Sequence, residues 1–423
     1  MGSIILGPPE TDGQRLHISI SADGLPNLFI EDDFEAIYND PINGVDDGIL
    51  MIPAITNLLP IAWATGSSLN TPVVDSDFSQ SIDDTRDVFG SMYPDFQSPR
   101  LLVADTTTET TIKGDESLLL FSGGVDSLTT YIRNRDEHPR LAAIHGADLR
   151  TDNKEGWGKV EQSLQSFADF HGTPLHTVQS NIRDMLSGSL LQSYYRTTIN
   201  GSWWGGVQHG LALLGLCAPL TQIHGATSLY IAATHTDSFS KPWGSTPESD
   251  ESLHWGSTRV YHKGHDLTRQ DKIETISEYT QETGERPSIR SCYMSDSGDN
   301  CGTCEKCCRT IVGLVLAGLH PTDHGYPISD DTFAHARRCL ENGSWNIGSD
   351  EKYMWENLQN NISDKDEYQE NISDFLGWLE NADLNEIKQR TDTQPSFVSK
   401  AKQNLWVLPE PFFRLLVRAK RSF

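Results

Sequence analysis

The sequence predicts an α/β protein with an open, mostly parallel sheet, and two observations lead to that prediction. The first is the apolar run 118–121, which suits a strand covered on both faces and ends at Ser122-Gly123-Gly124, where neither a strand nor a helix continues easily. The second is the alternation of apolar strands with helices over residues 115–290. Ligands of such sheets bind beyond the carboxyl ends of the strands, so the loops that follow the strands are candidate sites.

The elements of this alternating region follow in order from the apolar pattern. Strands are predicted at 118–121, 141–144, 175–179 and 229–233, and helices at 128–135, 153–170 and 203–220. The rule for strand ends then selects three loops, at 122–127, 145–148 and 234–238.

The region before the alternation, 1–115, carries no recognisable catalytic motif. Its pattern predicts a half-buried strand, a short helix, several short helices interrupted by prolines, and a loop rich in Ser, Asp and Pro, at 16–20, 32–38, 48–65 and 66–98 in that order. We therefore predict an α+β accessory domain, which serves packing and solubility or recognises a partner or substrate.

The region after residue 325 is predicted to be mostly helical. Apolar residues recur at helical spacing over 330–342, 350–360, 368–381 and 403–419. The end of the chain is locally basic, with Arg414, Arg418, Lys420 and Arg421. These cations either complete the dipole of a solvated helix end or contact an anionic partner.

The loop 122–127 has the features of a phosphate-binding turn. A glycine turn before a helix presents backbone N–H groups and the positive end of the helix dipole, which is what a phosphate needs. Asp126 and Ser127 fall where a helix begins, so either side chain can cap it. Asp126 can instead ligate a Mg²⁺ ion that bridges phosphates, and an ordinary strand–turn–helix connection has the same shape. The nucleoside-triphosphatase signature G-x-x-x-x-G-K-[ST] does not occur, which disfavours ADP-forming chemistry of that type.

A cysteine cluster predicts a metal site, because five of the seven cysteines lie within 292–308. Four of them are spaced by nine, three and three positions, which suits a closed tetrahedral shell of thiolates around a structural Zn²⁺: Cys292, Cys301, Cys304 and Cys307. The other three are interpreted as small buried apolar residues: Cys217, Cys308 and Cys339.

Two strings resemble motifs of known enzymes. Ser-Gly-Gly-Val-Asp-Ser at 122–127 resembles the phosphate loop of the ATP pyrophosphatase (PP-loop) superfamily, which implies an adenine nucleotide alpha hydrolase-like fold. The strings at 291–293 and 301–309 are similar to the zinc motif of 7-cyano-7-deazaguanine synthase, a member with the same loop. The similarity covers roughly 115–320. Together with the patterns on either side of it, four parts are expected: an accessory domain 1–115, a PP-loop domain 116–290, a zinc knuckle with its following helix 291–325, and a helical region 326–423.

The resemblance also implies roles for individual residues. An ATP site would be formed by Phe121, Ser122, Gly123, Gly124, Val125, Asp126, Ser127, Ile144 and His145, and the catalytic set would be Asp126, Ser127, Arg269 and Lys272. Arg269 and Lys272 start a helix that Thr268 and Asp271 can cap, and they either neutralise departing pyrophosphate or form a solvated surface pair. Asp237 is a candidate on other grounds, because it follows a predicted strand end: it would bind Mg²⁺ or substrate, or only form a turn.

The expected function is ATP-dependent adenylation, which is what the resemblance implies. The family converts ATP to AMP and pyrophosphate to activate a carboxylate, which ammonia then attacks. The carboxylate here would belong to a deazapurine or to a protein partner. The loop His145-Gly146-Ala147-Asp148 departs from the aromatic-glycine pattern of the synthase, so the adenylating half of the chemistry is better supported than the substrate.

Two other functions stay open. Sulfur transfer of the tRNA thiolation type would need a reactive cysteine outside the zinc set, and Cys308 or Cys217 would have to serve. A nucleotide-binding subunit of a defence or modification complex would keep the fold without turnover. Longer relatives of the synthase occur in antiviral gene clusters, and this architecture is similar to theirs. A homodimer or a complex with defence-system proteins is therefore the expected assembly.

Charge limits the partners. The chain has 59 acidic and 33 basic residues, of which 13 are lysine, and a formal charge of −26, which disfavours generic nucleic-acid binding. An acidic surface with little lysine predicts that the protein is adapted to a cytoplasm with a high salt concentration. No run of 18 apolar residues and no signal-like start occur, so a soluble cytoplasmic protein without a membrane segment is expected.

Salt should stabilise the fold, because counterions screen the mutual repulsion of the acidic groups. We expect the midpoint of thermal unfolding, followed by circular dichroism, to rise by about 10 °C or more between dilute buffer and about 2 M KCl. The same cooperative transition at the same temperature in dilute buffer would contradict adaptation to high salt.

Overall fold

A sheet of twelve strands organises the first part of the chain in the computed structural model, which describes residues 2–25, 28–96, 102–199, 201–363 and 368–393. The chain divides into two compact units, 1–299 and 300–423, and the sheet belongs to the first. Its strands are β1 (Ser3–Leu6), β2 (Glu10–Asp12), β3 (Arg15–Asp23), β4 (Asp33–Tyr38), β5 (Ser68–Asp75), β6 (Leu102–Thr108), β7 (Glu116–Leu120), β8 (Arg140–His145), β9 (Leu175–Ser180), β10 (Ala226–Ala232), β11 (His254–Trp255) and β12 (Thr258–Lys263).

Helices connect these strands and form the second unit. The first unit contains α1 (Asp47–Thr65), α2 (Ser76–Met92), α3 (Val125–Asn134), α4 (Lys154–His171), α5 (Gly188–Ile199), α6 (His209–Leu216), α7 (Ala218–His224), α8 (Pro247–Glu251) and α9 (Arg269–Thr283). The second unit contains α10 (Glu305–Leu316), α11 (Thr332–Glu341), α12 (Ser349–Asn360), α13 (Glu370–Glu380) and α14 (Leu384–Thr393).

The strand order is β11-β12-β10-β7-β8-β9-β4-β3-β1-β5-β6, with β2 paired to β3. The five adjacent strands from β12 to β9 are parallel, which confirms the predicted α/β class and the four predicted strands of the alternating region. Since parallel strands end at one edge, the loops after β7, β8 and β10 come together there.

The amino-terminal region extends this sheet. β4 pairs antiparallel with β9, with Tyr38 opposite Val178, and the strands β3, β1, β5 and β6 continue outward. Residues 1–115 and 116–290, which the sequence analysis treats as separate domains, therefore contribute strands to one sheet.

Three expectations for this region are wrong. The predicted helix at 32–38 is the strand β4, because Phe34, Ala36 and Tyr38 are buried in alternation, and the period of two decides the structure. The predicted loop 66–98 contains β5 and α2, and the Asp75 carboxylate caps α2 by accepting from the Phe78 N–H at 3.0 Å.

The third correction concerns 48–65, which forms one continuous helix, α1, with Pro53 and Pro60 inside it. Each proline removes a helical hydrogen bond, but burial of every residue from 48 to 64 stabilises the helix despite this loss. α1 is also long and apolar enough to cross a bilayer, yet 94% of its apolar window is buried within the protein, as in a core helix.

The predicted helix 203–220 is interrupted. Residues Trp204–Gln208 form a π turn, α6 follows, and α7 begins at Ala218. Pro219 has no N–H to donate to the preceding turn, which explains the break between α6 and α7.

The second unit is helical, as predicted, and each of three expected segments contains one helix, α11, α12 or α13. Trp355, Phe375 and Leu379 are buried in it. The expected helix at 403–419, with Trp406, and the basic end with Arg414, Arg418, Lys420 and Arg421 lie outside the described residues.

Candidate functional site

The turn after β7 leaves the amino end of α3 without a side-chain cap. Gly123 has φ +70°, and a Cβ on it would lie 2.9 Å from Leu164 Cδ2, so the turn requires glycine. The N-cap residue is Gly124, which has no side chain. The interpretation of Asp126 or Ser127 as the cap is therefore wrong, and the open helix end can receive an anion.

The Ser127 side chain forms hydrogen bonds within the loop instead of capping the helix. Its hydroxyl accepts from the Ser122 N–H at 3.3 Å and donates to the Gly124 carbonyl at 3.3 Å. The Ser122 hydroxyl accepts from the Gly124 N–H at 3.4 Å. These bonds hold the loop in a compact turn before any ligand binds.

Asp126 pairs with two cations of α9. Its Oδ1 is 3.0 Å from Lys272 Nζ, and its Oδ2 is 3.0 Å from Arg269 Nη1. Lys272 Nζ also donates to the carbonyl of Ala233, the residue after β10, at 2.6 Å. The pairing therefore joins the turn after β7, the end of β10 and the start of α9.

The local sequence explains how α9 presents these cations. Thr268 caps the helix and Asp271 bonds back to the Thr268 N–H, as the sequence predicts. Arg269 and Lys272 are three positions apart and so share one face of the first turn. Their side chains are only 9% and 2% exposed, so they form a buried pair and not a solvated one.

The cluster carries an excess of positive charge. Burial lowers the pKa of Lys272, the Asp126 carboxylate opposes that shift, and the neighbouring Arg269 guanidinium lowers the pKa further. Arg269 Nε is buried and has no hydrogen-bond partner among the described residues. Two cations beside one carboxylate, with a donor left over, suit an anionic ligand.

A cavity opens beside this cluster at the carboxyl edge of the sheet. Its walls include Phe121, Ser122, Asp126, Ser127, Ala142, Ile144, Trp157, Leu164, Ile231, Thr234 and Arg290. Five of the residues predicted for the ATP site thus line one space: Phe121, Ser122, Asp126, Ser127 and Ile144. Gly123, Gly124 and Val125 form the turn beside them.

Apart from the turn residues, four residues predicted for ATP, Mg²⁺ or catalysis lie outside the cavity lining: Arg269 and Lys272 of the neighbouring cluster, His145 and Asp237. His145 is buried, its Nε2 lies 2.9 Å from the Arg150 carbonyl, and its ring stacks on Trp157 with centroids 4.7 Å apart. Burial lowers the pKa of His145, so its neutral form supports the wall that Trp157 provides. Asp237 is exposed, with its N–H donating to the His265 carbonyl at 3.0 Å, and its role as a ligand stays a prediction.

Arg290 is a cavity residue that the sequence analysis missed. Its backbone N–H donates to the Gly123 carbonyl at 2.8 Å, and its Nη1 lies 3.7 Å from Asp148 Oδ2. Its Nε is buried without a hydrogen-bond partner in the described part of the chain. The sequence gives only a weak signal for a role of Arg290, namely its position two residues before the predicted metal ligand Cys292.

Comparison with known proteins agrees with the resemblance to 7-cyano-7-deazaguanine synthase that the sequence motifs indicate. The curated proteins that match include 7-cyano-7-deazaguanine synthases from Chlorobium luteolum and Chlorobium phaeovibrioides, which are 26% and 25% identical to the chain over 230 residues. The chain is similar to these synthases over about half of its length. Each match covers 49% of this chain and 96% of the relative, so half of the chain has no counterpart there. No family model and no solved structure matches the chain.

The four predicted metal ligands come together. The sulfur atoms of Cys292, Cys301, Cys304 and Cys307 all lie within 4.8 Å of one another. Backbone N–H groups point at them: Cys304 N–H donates to Cys301 Sγ at 3.3 Å, and Cys307 N–H to Cys304 Sγ at 3.4 Å. Such bonds stabilise thiolates, and four thiolates fit a tetrahedral metal ion of the zinc class.

Gly302 makes the tight turn between these ligands feasible. Its φ is +70°, and a Cβ would lie 2.5 Å from the Pro327 carbonyl oxygen. Cys304 is also the N-cap of α10, so the helix dipole favours its anionic form.

The remaining cysteines are buried, as predicted: Cys217, Cys308 and Cys339. Cys308 donates to the Gly302 carbonyl at 3.5 Å, and burial raises the pKa of the Cys217 thiol. Neither Cys217 nor Cys308 lines the cavity.

Replacing Arg290 should weaken nucleotide binding. We expect Arg290→Ala to raise the Kd for Mg-ATP, measured by isothermal titration calorimetry, about 10- to 100-fold, because a charge-assisted hydrogen bond contributes roughly 1.5–3 kcal/mol. The matched control is Arg140→Ala, which removes an arginine paired with Glu116 at the opposite end of β8. Unchanged affinity in Arg290→Ala would show that this guanidinium does not face the nucleotide.

Replacing one cluster cysteine should remove one metal ion. We expect Cys304→Ser to hold one zinc equivalent per chain fewer than the unaltered protein, measured by elemental analysis, and to unfold at a lower temperature, since metal binding stabilises the folded state. Cys308→Ala is the control and should keep its metal. Full metal content in Cys304→Ser would contradict the four-thiolate site.

Proposed function

We propose that this protein is an ATP-dependent adenylating enzyme, which converts ATP to AMP and pyrophosphate while it activates a carboxylate for a nitrogen nucleophile. The observation that carries the proposal is the uncapped start of α3 beside the buried cluster of Asp126, Arg269 and Lys272. The similarity to named synthases supports an enzymatic role.

In this proposal the turn 122–127 and the amino end of α3 hold the two phosphates that leave. Arg269 and Lys272 neutralise the charge that develops on departing pyrophosphate. Asp126 would hold a Mg²⁺ ion, which would supply further positive charge for the phosphates. No protein nucleophile is required, because positioning and charge neutralisation supply the catalysis.

The bonds change in two steps. A carboxylate oxygen attacks the α-phosphorus, the bond to the bridging oxygen breaks, and its electron pair leaves with pyrophosphate, which gives an acyl adenylate. The nitrogen nucleophile then attacks the acyl carbon, AMP departs with the acyl C–O electron pair, and the nitrogen releases a proton to solvent. Arg290 lies in the cavity with an unused donor, so it is a candidate to hold the α-phosphate or the carboxylate.

The proposed acyl substrate is a deazapurine carboxylate, with a carboxyl group on a protein partner as the alternative. The flat face of Trp157, whose ring is supported by His145, gives the cavity an aromatic wall suited to a planar ring. We further propose, from the sequence, a cytoplasmic enzyme adapted to high salt that acts as a homodimer or within a defence complex.

The two rival functions have less support. Sulfur transfer needs a thiolate near the substrate, whereas Cys217 and Cys308 are 0% and 1% exposed and lie outside the cavity lining. A nucleotide-binding subunit without turnover would use the same buried cations to bind phosphates, and the similarity to named synthases is what favours an enzyme over it.

The nucleotide product tests the proposal. Purified protein receives ATP, Mg²⁺, 7-carboxy-7-deazaguanine and ammonium in high salt, and the products are separated by chromatography. We expect AMP, pyrophosphate and consumption of the deazapurine, and we expect Asp126→Asn to slow AMP formation about 100-fold or more, because both buried cations lose their counter-charge. Arg140→Ala should leave the rate unchanged.

The other outcomes separate the alternatives. AMP and pyrophosphate without deazapurine turnover would keep adenylation and favour a protein carboxyl group as the acceptor. ADP and phosphate would contradict the proposed role of the turn 122–127. Loss of activity in a Cys217→Ser, Cys308→Ser double variant that still folds would favour sulfur transfer.

A further inference from the structure

Two histidines and an aspartate meet away from the nucleotide cavity. Asp40 follows β4, His176 is the second residue of β9, and His224 ends α7. One ligand atom from each lies within 4.8 Å of the other two. None of the three lines the cavity, and none belongs to the cysteine cluster.

The contacts within this cluster are convergent. Asp40 Oδ2 lies 2.7 Å from His176 Nδ1, and Asp40 Oδ1 lies 3.4 Å from His224 Nε2. Each carboxylate oxygen therefore faces one imidazole nitrogen. The two imidazole rings are tilted by 34° to each other, with centroids 4.1 Å apart.

The cluster is fixed by its backbone. Asn39 N–H donates to the Thr177 carbonyl at 3.0 Å, and Thr177 N–H donates to Asn39 Oδ1 at 2.9 Å. The Asn39 side chain also donates to the Leu175 carbonyl at 3.2 Å. These bonds hold Asp40 against the start of β9, so the ligand atoms are pre-positioned.

A buried nitrogen without a partner points to a missing ligand. His224 Nε2 faces Asp40 Oδ1 at 3.4 Å, yet it is buried and has no hydrogen-bond partner among the described residues. An imidazole lone pair and a carboxylate oxygen repel each other unless a proton or a cation lies between them.

The distances suit a cation. Two ligands held roughly 2.0–2.2 Å from a tetrahedral zinc ion are about 3.4 Å apart, which is the separation of His224 Nε2 and Asp40 Oδ1. The contact of His176 Nδ1 with Asp40 Oδ2, at 2.7 Å, has the length of a hydrogen bond and would open by about 0.7 Å to reach that separation.

We propose that Asp40, His176 and His224 bind a second divalent metal ion of the zinc class, with the fourth position open to water. Two imidazoles and one carboxylate are a donor set that such ions prefer. Because Asp40 comes from the amino-terminal extension and His176 and His224 from the strands and helices around the nucleotide site, the ion clips these parts of the first unit together. The proposal does not depend on the proposed function.

Metal stoichiometry tests the proposal directly. The full-length protein is reconstituted with Zn²⁺, passed through a desalting column and analysed for zinc against protein concentration. We expect two equivalents per chain, one at the cysteine cluster and one at the new site. A single equivalent in the unaltered protein would overturn the proposal without any variant.

Variants show which of the two sites holds each zinc ion. His224→Ala and Cys304→Ser should each hold one equivalent. The matched control is His17→Ala, which removes a histidine paired with Asp33 in the same sheet, at 3.1 Å, and should keep two. Two equivalents in His224→Ala would overturn the assignment.

Cobalt distinguishes the two sites by spectrum. Co²⁺ at the cysteine cluster gives intense thiolate charge-transfer bands, whereas Co²⁺ bound by nitrogen and oxygen gives only weak visible bands. We expect His224→Ala to keep the thiolate bands and lose the weak component. An unchanged cobalt spectrum and cobalt content in this variant would contradict the site, and near-ultraviolet circular dichroism verifies that each variant is folded.

Discussion

Two buried cations share one carboxylate at the edge of the sheet, and the candidate site depends on that arrangement. Lys272 is 2% exposed, and a buried ammonium is tolerated only where opposite charge and hydrogen-bond acceptors surround it. Asp126 and the Ala233 carbonyl supply them, while the Thr129 hydroxyl donates to the Lys272 carbonyl at 3.0 Å. The same contacts that satisfy the lysine therefore join α3, α9 and the end of β10, and they leave a positive excess beside an open helix end.

The sheet supplies the rest of the geometry. Parallel strands β7, β8 and β10 end together, so their loops surround one cavity. The antiparallel pairing of β4 with β9 then adds the amino-terminal strands to the same sheet. The proposed ion at Asp40, His176 and His224 would reinforce that junction, at a point where the hydrogen bonds of Asn39 already hold the chain.

Contiguous motifs made part of this site predictable. The turn 122–127 and the cap formed by Thr268 and Asp271 can be read from short strings, because local backbone chemistry determines them. Arg290 could not be predicted in this way, since a fold contact with Gly123 brings it to the turn. Likewise the Asp40 and His176 side chains meet across 136 positions, and no spacing rule links them.

Local sequence preferences also gave wrong secondary-structure predictions where tertiary packing determines the structure. The segment of β4 contains helix-forming residues, but its neighbours in the sheet select the alternating pattern. In α1 the reverse holds, because burial on all sides maintains a helix through two prolines. The most direct test of adenylation follows an ¹⁸O label from the carboxylate of 7-carboxy-7-deazaguanine by mass spectrometry of the products. Attack on the α-phosphorus predicts one labelled oxygen in AMP, whereas label in inorganic phosphate, or AMP formed without label as the deazapurine is consumed, would contradict the account.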